Sequence, residues 1–154
     1  MKRYAWIAAT VVLLDQLVKA LARTLTGPVT LIPHVIGLRY SENTGMAFSL
    51  MNRHTWLLTA LSVVLIAAGW LILRRYRLGR LSRVAAMLLL GGAAGNLIDR
   101  LLNGYVVDMF ELLLFRFAIF NVADLSLTVG CALLAMTLLF FPEDWRQKHG
   151  DTKD

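Results

Sequence analysis

The chain has few of the residues from which disulfide frameworks and metal centres are made. It contains one cysteine, Cys131, and three histidines among 154 residues. A lone cysteine excludes an intrachain disulfide, and because Cys131 lies inside an apolar run we expect it to be a small core residue. His34, His54 and His149 lie far apart in the sequence and lack the spacing of zinc ligands, so we expect no metal site.

Charged residues are also scarce for a protein of this length. They make up 17% of the chain, hydrophobic residues make up 58%, and the mean hydropathy is +0.62. The apolar share exceeds that of a usual soluble domain and is spread along the whole length, so we expect one integral membrane domain comprising residues 1–154. The net charge of +6 would suit nucleic acid binding. However, the arginines cluster between apolar runs, and no nucleic acid partner is expected.

Four apolar windows are long enough to cross a membrane as helices, because about 20 mostly apolar residues span ~30 Å of hydrocarbon. The windows cover about residues 5–23, 56–73, 84–102 and 123–141. The first window, with Lys2 and Arg3 before it and Ala20-Leu21-Ala22 near its end, also has features of a cleavable signal peptide. Since Asp15 and Lys19 interrupt its apolar stretch and three further windows follow, we interpret it as a retained first helix.

The basic residues predict the orientation of these spans. With four crossings, ten of the sixteen Lys and Arg lie on one side of the membrane. They are Lys2 and Arg3, then Arg74, Arg75, Arg77, Arg80 and Arg83 between the second and third windows, and Arg146, Lys148 and Lys153 after the fourth. Cytoplasmic segments carry the excess of Lys and Arg, so both termini and the arginine-rich link are predicted to be cytoplasmic.

Two connections are then predicted on the outer side, and both have the pattern of strands and turns. Residues 24–55 include the apolar stretches 29–32 and 35–40, bounded by glycine and proline. Residues 103–122 begin with the turn signal Asn103-Gly104 and continue through a β-rich stretch. The predicted fold class is an all-α membrane protein with four transmembrane helices and a small β-rich outer loop subdomain.

Asp108 and Asp124 each border a long apolar run, where a carboxylate is costly. If the third and fourth helices are antiparallel neighbours, both carboxylates reach one level near the outer interface. Two close carboxylates cannot both ionise cheaply, so they would share one proton and act as acid and base. The alternative is structural: Asn121-Val122-Ala123-Asp124 fits a helix cap with an acid in the first turn, and Asp108 would then be an ordinary loop acid.

One segment of the third window combines small and polar residues. Gly91 and Gly95 have the spacing of close helix packing. Asn96 and Arg100 stand one turn apart on one face, near the membrane edge. Arg100 can bind a peptide carbonyl or a lipid headgroup, or it can pair with Asp99 or extend to the interface, and the sequence leaves both interpretations open.

Two further groups lie toward the predicted outer face. Asp15 and Lys19 are four residues apart and can pair on one face of the first helix, which favours a structural role. Asn43 and Gly45 in the first outer connection indicate a turn. Alternatively, the Asn43 side chain and nearby backbone groups hold an extended substrate.

Five segments occur in one order along the chain. They are Asp15…Lys19, Asn43-x-Gly45-x-Ala47-Phe48, Gly91-Gly92-x-x-Gly95-Asn96-x-x-Asp99-Arg100, Gly104-x-Val106-Val107-Asp108 and Phe120-Asn121-x-Ala123-Asp124. Each is weakly specific alone, but all five, together with four spans, resemble the signal peptidase II (lipoprotein signal peptidase) family of bacteria. Met109 departs from the Phe that the family often has there, and we expect no effect on the chemistry.

The resemblance implies a membrane aspartic endopeptidase that removes the signal peptide from prolipoproteins, cleaving before a cysteine that already carries diacylglycerol. Asp108 and Asp124 match the catalytic pair. Positions that support or line the site are matched by Asp15, Lys19, Asn43, Gly45, Asn96, Arg100, Asn121 and Ala123. No metal or cofactor is implied. We expect a monomer in the bacterial cytoplasmic (inner) membrane, with lipid-modified prolipoproteins and membrane lipids as partners and the active site near the outer face.

Other functions make different demands on the sequence. A small four-helix proton-coupled transporter is the main alternative, with Asp15 as its proton site, but it would have short loops on both sides rather than a 32-residue outer connection. A non-catalytic membrane chaperone or lipid-binding subunit would not need two aspartates. A serine or rhomboid-like protease is disfavoured, because the sequence has no Gly-x-Ser-x-Gly and no histidine is expected within reach of Ser126.

Overall fold

The computed structural model describes residues 2–45 and 55–147. Within these residues, four helices are long and apolar enough to cross a membrane. They are α1 (Ala5–Ala22), α2 (Thr55–Arg75), α3 (Arg80–Asn103) and α4 (Val122–Phe140). The predicted four-span fold class is thereby confirmed. Parts of three sequence predictions lie outside the described residues: Ala47-Phe48 of the second motif, the basic residues Lys148 and Lys153, and the histidines His54 and His149.

Helix α3 is the central helix of the bundle and packs against the other three. Its span is 39% buried, whereas that of α2, which packs mainly against α3, is 11% buried. Large apolar side chains are exposed along the outer surfaces of the other helices, for example Leu13 and Leu17 of α1 and Leu61 and Val64 of α2. Such a surface suits hydrocarbon rather than water.

Glycines allow the close contacts of α3. A Cβ atom at Gly91 would lie 2.9 Å from the Cβ of Val11 in α1, and one at Gly92 would lie 2.6 Å from the carbonyl oxygen of Ala123 in α4. Neither distance leaves room for a methyl group. Glycines of this segment therefore let α1 and α4 pack closely on neighbouring faces of α3.

The connections 24–55 and 103–122 contribute a three-stranded antiparallel sheet, with Ile36–Asn43 between Val29–Ile32 and Val106–Leu112. Its strands are β1 (Val29–Ile32), β2 (Ile36–Asn43) and β4 (Val106–Leu112). Gly104 ends α3 with a φ of 79°, a left-handed conformation that glycine adopts without strain, and so turns the chain into β4. Val107 and Met109 of β4 pack against Ala22 of α1 in a buried cluster. The sheet is thus fixed on the end of α1.

A second sheet, which the sequence analysis did not predict, lies at the opposite end of the bundle. Strand β3 (Tyr76–Leu78) links α2 to α3 and pairs antiparallel with β5 (Trp145–Gln147), which follows α4. Leu78 packs with Leu73 and Met87, and Trp145 lies against this cluster. The pairing ties the end of α4 to the α2–α3 link.

The prediction that Cys131 is a core residue is wrong. Its thiol is exposed on α4, where it lines an apolar cavity of about 290 Å³ between α2, α3 and α4. An apolar run marks a membrane helix on all its faces, including those that face lipid, so apolar neighbours in the sequence do not imply burial in protein.

Candidate active site

Asp108 and Asp124 lie at the same end of the bundle, on the elements that follow α3. Asp108 is in β4 and is 2% exposed. Asp124 is in the first turn of α4, where its backbone N–H donates to Asn121 Oδ1 at 2.8 Å and its carboxylate accepts from the Asn121 N–H at 3.4 Å. The helix cap expected at Asn121 is therefore present, and it orients the Asp124 side chain.

Two carboxamides connect the two carboxylates. Asn121 Nδ2 donates to Asp108 Oδ1 at 2.6 Å and to Asn96 Oδ1 at 3.1 Å. Asn96 Nδ2 in turn donates to Asp124 Oδ1 at 2.7 Å. A continuous path of hydrogen bonds therefore runs from one aspartate to the other, across residues of α3, β4 and α4.

Asn43 holds the second oxygen of Asp108. Its Nδ2 donates to Asp108 Oδ2 at 2.9 Å, and its Oδ1 accepts the backbone N–H of Gly45 at 3.0 Å. The second bond closes the turn that the sequence indicates, and it also fixes which end of the carboxamide faces Asp108. The pairing of β2 with β4, which sets Asn43 opposite Val106, brings the two side chains together.

The pKa of Asp108 is raised from 3.8 to about 6, mainly because burial disfavours the charged form. The hydrogen bond from Asn43 opposes the rise, the negative charge of Asp124 adds to it, and the hydrogen bond from Asn121 again opposes it. A carboxyl group with a pKa close to neutrality can both hold and release a proton near physiological pH.

A buried lysine supports this arrangement from α1. Lys19 is 0% exposed, and its Nζ lies 2.7 Å from Asp15 Oδ2 and 3.1 Å from Asp99 Oδ2. The same nitrogen donates to Asn96 Oδ1 at 3.0 Å. Because the Asn96 oxygen accepts from both Lys19 and Asn121, its amide nitrogen is left to face Asp124.

The two acids beside Lys19 hold the backbone next to each candidate catalytic residue. Asp15 Oδ1 accepts the N–H of Ala123, the residue before Asp124, at 2.9 Å. Asp99 Oδ2 accepts the N–H of Val107, the residue before Asp108, at 2.9 Å. The lysine-centred cluster, Asp15, Lys19 and Asp99, therefore positions both aspartate-bearing segments from one buried point.

Sequence reasoning missed Gln16 and the role of Asp99. Gln16 Nε2 lies within hydrogen-bond distance of Asp15 Oδ2 at 3.3 Å and Asp99 Oδ1 at 3.2 Å, and so spans the cluster. The sequence offers Asp99 as a position of the third motif and as a partner of Arg100, not as a ligand of Lys19. The available signal was spacing: Asp99 follows Asn96 by three residues, which places both on one face of α3 toward α1.

Arg100 faces a cavity rather than Asp99. Its Nη1 lies 3.5 Å from the carbonyl oxygen of Asn96, and its charge interacts most with the carboxylate of Asp124, then with those of Asp108 and Asp99. The sequence left open a pairing of Arg100 with Asp99. The structure does not show that pair, because Asp99 forms an ion pair with Lys19 instead. The Arg100 guanidinium lies beside the aspartate pair.

The cavity has a volume of about 430 Å³ and lies beside the two aspartates. Its polar lining comes from Asn43, Gly45, Asn96, Arg100 and Asp124, and its apolar lining includes Leu112, Phe117, Ile119, Phe120, Leu125 and Leu127. Asp124 lines the cavity directly, whereas Asp108 adjoins it through the side chain of Asn43, which bonds to Asp108 and faces the cavity. The space therefore combines a carboxylate and a guanidinium with a wall suited to apolar chain.

The chain is similar to bacterial membrane enzymes in sequence and in structure. The sequence model of signal peptidase (SPase) II matches residues 7–140. The lipoprotein signal peptidase of Geobacillus kaustophilus is 38% identical over 144 residues, which cover 90% of this chain and 94% of that protein. The lipoprotein signal peptidase of Streptococcus thermophilus is 36% identical over 146 residues, covering 94% of this chain and 84% of that protein.

A solved structure described as a bacterial membrane enzyme aligns with this one at a TM-score of 0.85 and 30% identity, covering 90% of this chain and 88% of its own. A second, of the same description, aligns at a TM-score of 0.79 and 30% identity, covering 92% and 95%. The match to the family extends over most of the chain and most of its relatives, so the resemblance drawn from the five sequence segments is confirmed. The chain belongs to the signal peptidase II family, and it is a protease of the bacterial membrane with several spans.

Proposed function

We propose that the chain is an aspartic endopeptidase that removes signal peptides from diacylglyceryl-modified prolipoproteins, cleaving before the lipidated cysteine. Asp108 and Asp124 are its catalytic residues. The observation that carries the aspartic assignment is the hydrogen-bonded path Asp108–Asn121–Asn96–Asp124 beside an open cavity. The names of the relatives, lipoprotein signal peptidases, support the substrate class.

The two carboxyl groups would act as one acid and one base. With a single proton between them, the ionised group takes a proton from water, and the water oxygen attacks the scissile carbonyl carbon. The protonated group donates to the carbonyl oxygen, and a proton then passes to the amine as the C–N bond breaks. The raised pKa of Asp108, about 6, means that this carboxyl group gains and loses its proton close to neutral pH, as an acid/base residue must.

The three asparagines around the pair would keep both carboxyl groups in place during proton transfer. Asn43 and Asn121 each donate to one oxygen of Asp108, and Asn96 donates to Asp124. Donors that are already oriented stabilise charge without reorganising at the moment of reaction. Since Asn43 also faces the cavity, a bound substrate would compete with Asp108 for its donor and so reach that carboxyl group.

The lysine-centred cluster would position the catalytic residues and would not itself contact the substrate. Asp15 and Lys19 are fully buried and do not line the cavity. Ala123 is held through its N–H, which keeps the first turn of α4 at a fixed distance from α1. Gly45 and Arg100 line the cavity itself, where the guanidinium can bind a peptide carbonyl.

The shape of the cavity fits a substrate that arrives from lipid. A signal peptide is an apolar helix, so it can approach sideways between spans while the diacylglyceryl chains stay in the bilayer. The lining combines apolar side chains from residues 112–127 with polar groups of Asn43, Asn96, Arg100 and Asp124. Holding the scissile bond at this boundary would supply several kcal/mol of the rate enhancement.

The proposed orientation puts the site near the outer face of the cytoplasmic membrane and both termini in the cytoplasm. Five arginines lie between residues 74 and 83, around β3 and the start of α3, whereas the aspartates follow the end of α3. The excess of basic residues at the far end supports this orientation. Because both aspartates and their supporting residues come from one chain, we expect the monomer to be active.

The contacts of Asp15 do not support the alternative function, a proton-coupled transporter. That carboxylate accepts from Lys19 and from the N–H of Ala123, deep in the protein. A transporter's proton site must exchange with water, and such a fixed ion pair does not suit that role.

The substrate proposal is tested with synthetic precursor peptides that differ only in the diacylglyceryl group on the cysteine. We expect mass spectrometry to find a single cut before the cysteine in the lipidated peptide, and at least about tenfold slower cleavage of the unlipidated one. Equal rates for the two peptides would contradict the proposed substrate while leaving the peptidase assignment intact.

A further inference from the structure

A second cavity lies at the end of the bundle opposite the aspartate pair. Its volume is about 580 Å³, and it opens where α1 and α3 begin. It is lined by Arg3, Tyr4, Trp6, Ile7, Arg80 and Val84. None of these residues takes part in the candidate active site.

The cavity is positively charged. Among the side chains that the structure describes, no ion pair involves Arg3 or Arg80. The first turns of α1 and α3 carry no acidic residue, and neither helix has a side-chain cap in the described structure. Two guanidinium groups and two helix N-termini therefore meet around one space, and all four favour an anion.

The wall between the two arginines is held in a fixed position. The Arg83 guanidinium lies 5.6 Å from the centre of the Tyr4 ring, and its Nε donates to the carbonyl oxygen of Leu78 at 2.7 Å. Tyr4 also packs against the buried cluster of Leu73, Leu78 and Met87. One wall of the cavity is thus part of the packed fold, whereas Arg3, Trp6 and Arg80 line it from exposed positions.

The remaining lining is apolar and continues onto the outer surface of α1. Trp6 is 64% exposed, and Ile7 and Val84 are half-buried beside it. Tryptophan at the end of a membrane span sits at the level of the lipid headgroups. A soluble anion would gain nothing from this apolar side, whereas a phospholipid would place its phosphate on the arginines and its first acyl carbons on the apolar residues.

We propose that this cavity binds the headgroup of an anionic phospholipid, with Arg3 and Arg80 contacting the phosphate and Trp6, Ile7 and Val84 contacting the glycerol and upper acyl chain. The lipid bridges α1 and α3. Helices α1 and α3 also carry Lys19 and Asn96. Lipid binding at this end therefore stabilises the packing of α1 against α3, on which the lysine-centred cluster depends.

The test measures lipid binding to the purified full chain in zwitterionic detergent. Short-chain phosphatidylglycerol, short-chain phosphatidylcholine and inorganic phosphate are titrated separately, with native mass spectrometry and thermal unfolding as readouts. The variant Arg3→Gln/Arg80→Gln removes both cavity charges. The control Arg75→Gln/Arg77→Gln removes two charges from exposed positions at the same end that do not line the cavity.

We expect Arg3→Gln/Arg80→Gln to weaken phosphatidylglycerol binding about 30-fold, from the electrostatic contribution of two basic residues near lipid, and the control to weaken it less than about threefold. Arg3→Lys/Arg80→Lys should retain most of the binding, which guards against a misfolded variant. Phosphatidylcholine should bind at least about tenfold more weakly.

Equal losses in both glutamine variants would overturn the site in favour of diffuse surface charge. Equal affinity for inorganic phosphate, or for phosphatidylcholine, would overturn the assignment of an anionic lipid.

Discussion

The buried carboxyl group of Asp108 should destabilise the folded protein once it is ionised, and Asp108→Asn isolates that effect. A pKa raised from 3.8 to about 6 means that the folded state binds this proton more tightly than the unfolded chain does. Between these pH values the folded state holds more protons, so its stability falls as pH rises and then levels off above pH ~6. The total loss is about 3 kcal/mol.

The asparagine variant does not titrate, so this part of the pH dependence disappears. The variant also has a cost that does not depend on pH. Asn43 and Asn121 each donate to one oxygen of Asp108, and an amide offers only one oxygen, so one donor then faces an NH₂ group at a cost of about 1–3 kcal/mol. At high pH this cost opposes the gain from removing the buried charge, so the prediction is the change of the stability difference with pH.

The assay is thermal unfolding of both proteins in a neutral detergent at intervals from pH 4 to pH 8. Because about three quarters of this loss falls between pH 4 and pH 6.5, we expect the Tm of the wild type, relative to Asp108→Asn, to fall by on the order of 5–9 °C over that interval. The control is Glu42→Gln, which removes an exposed carboxyl group from the neighbouring strand β2 and should shift the comparison by less than a third as much. Parallel curves for wild type and Asp108→Asn would refute the argument that burial raises the pKa of this group.

Three further outcomes follow from the same geometry. Lys19→Met should lower stability by about 3–5 kcal/mol, because it leaves buried carboxylates without their cation; a Tm within ~3 °C of the wild type would contradict this. Gly92→Ala should destabilise markedly, since its Cβ would lie 2.6 Å from the Ala123 carbonyl oxygen, whereas Gly69→Ala meets only a leucine methyl at 3.2 Å and should be tolerated, as thermal unfolding can show. The rate of cleavage should fall as pH drops below about 6, where Asp108 becomes protonated and the base is lost, and a rate rising steadily down to pH 4 would argue against the mechanism.

The spans and the outer strands could be predicted from sequence because each depends on a local pattern. A helix that crosses a bilayer requires about 20 mostly apolar residues in one run, and each of the four runs contains only a few polar residues. Residues 29–32 have the β-rich composition of a strand and form β1 as expected. These features need no knowledge of which segments meet in space.

The small sheet of β3 and β5 could not be predicted, because three-residue strands have no stable pattern of their own. Tyr76–Leu78 pairs with residues 145–147 only after α3 and α4 have brought the two segments together. Their pairing depends on packing against Leu73 and Met87, which no local window reveals.

Most residues of the candidate site were predicted from sequence, but Gln16, the role of Asp99 and the contacts between the residues were not. Adjacent residues on a helix do not face each other, so the Asp99–Arg100 pair suggested by sequence gives way to a contact between Asp99 and Lys19 of another helix. The contact from Asn43 to Asp108 spans 65 residues and depends on the register of β2 with β4. Tertiary register of this kind is not encoded in any single segment.

The most direct test of the central claim is turnover of a synthetic diacylglyceryl-modified precursor peptide by the wild type, Asp108→Asn and Asp124→Asn, each first shown to be folded and inserted in lipid. We expect the wild type to cut before the lipidated cysteine and each variant to be slower by at least about 10³-fold, since each lacks one of the two groups that move protons. Near-normal turnover by either variant would contradict the proposal that these two carboxyl groups perform the chemistry.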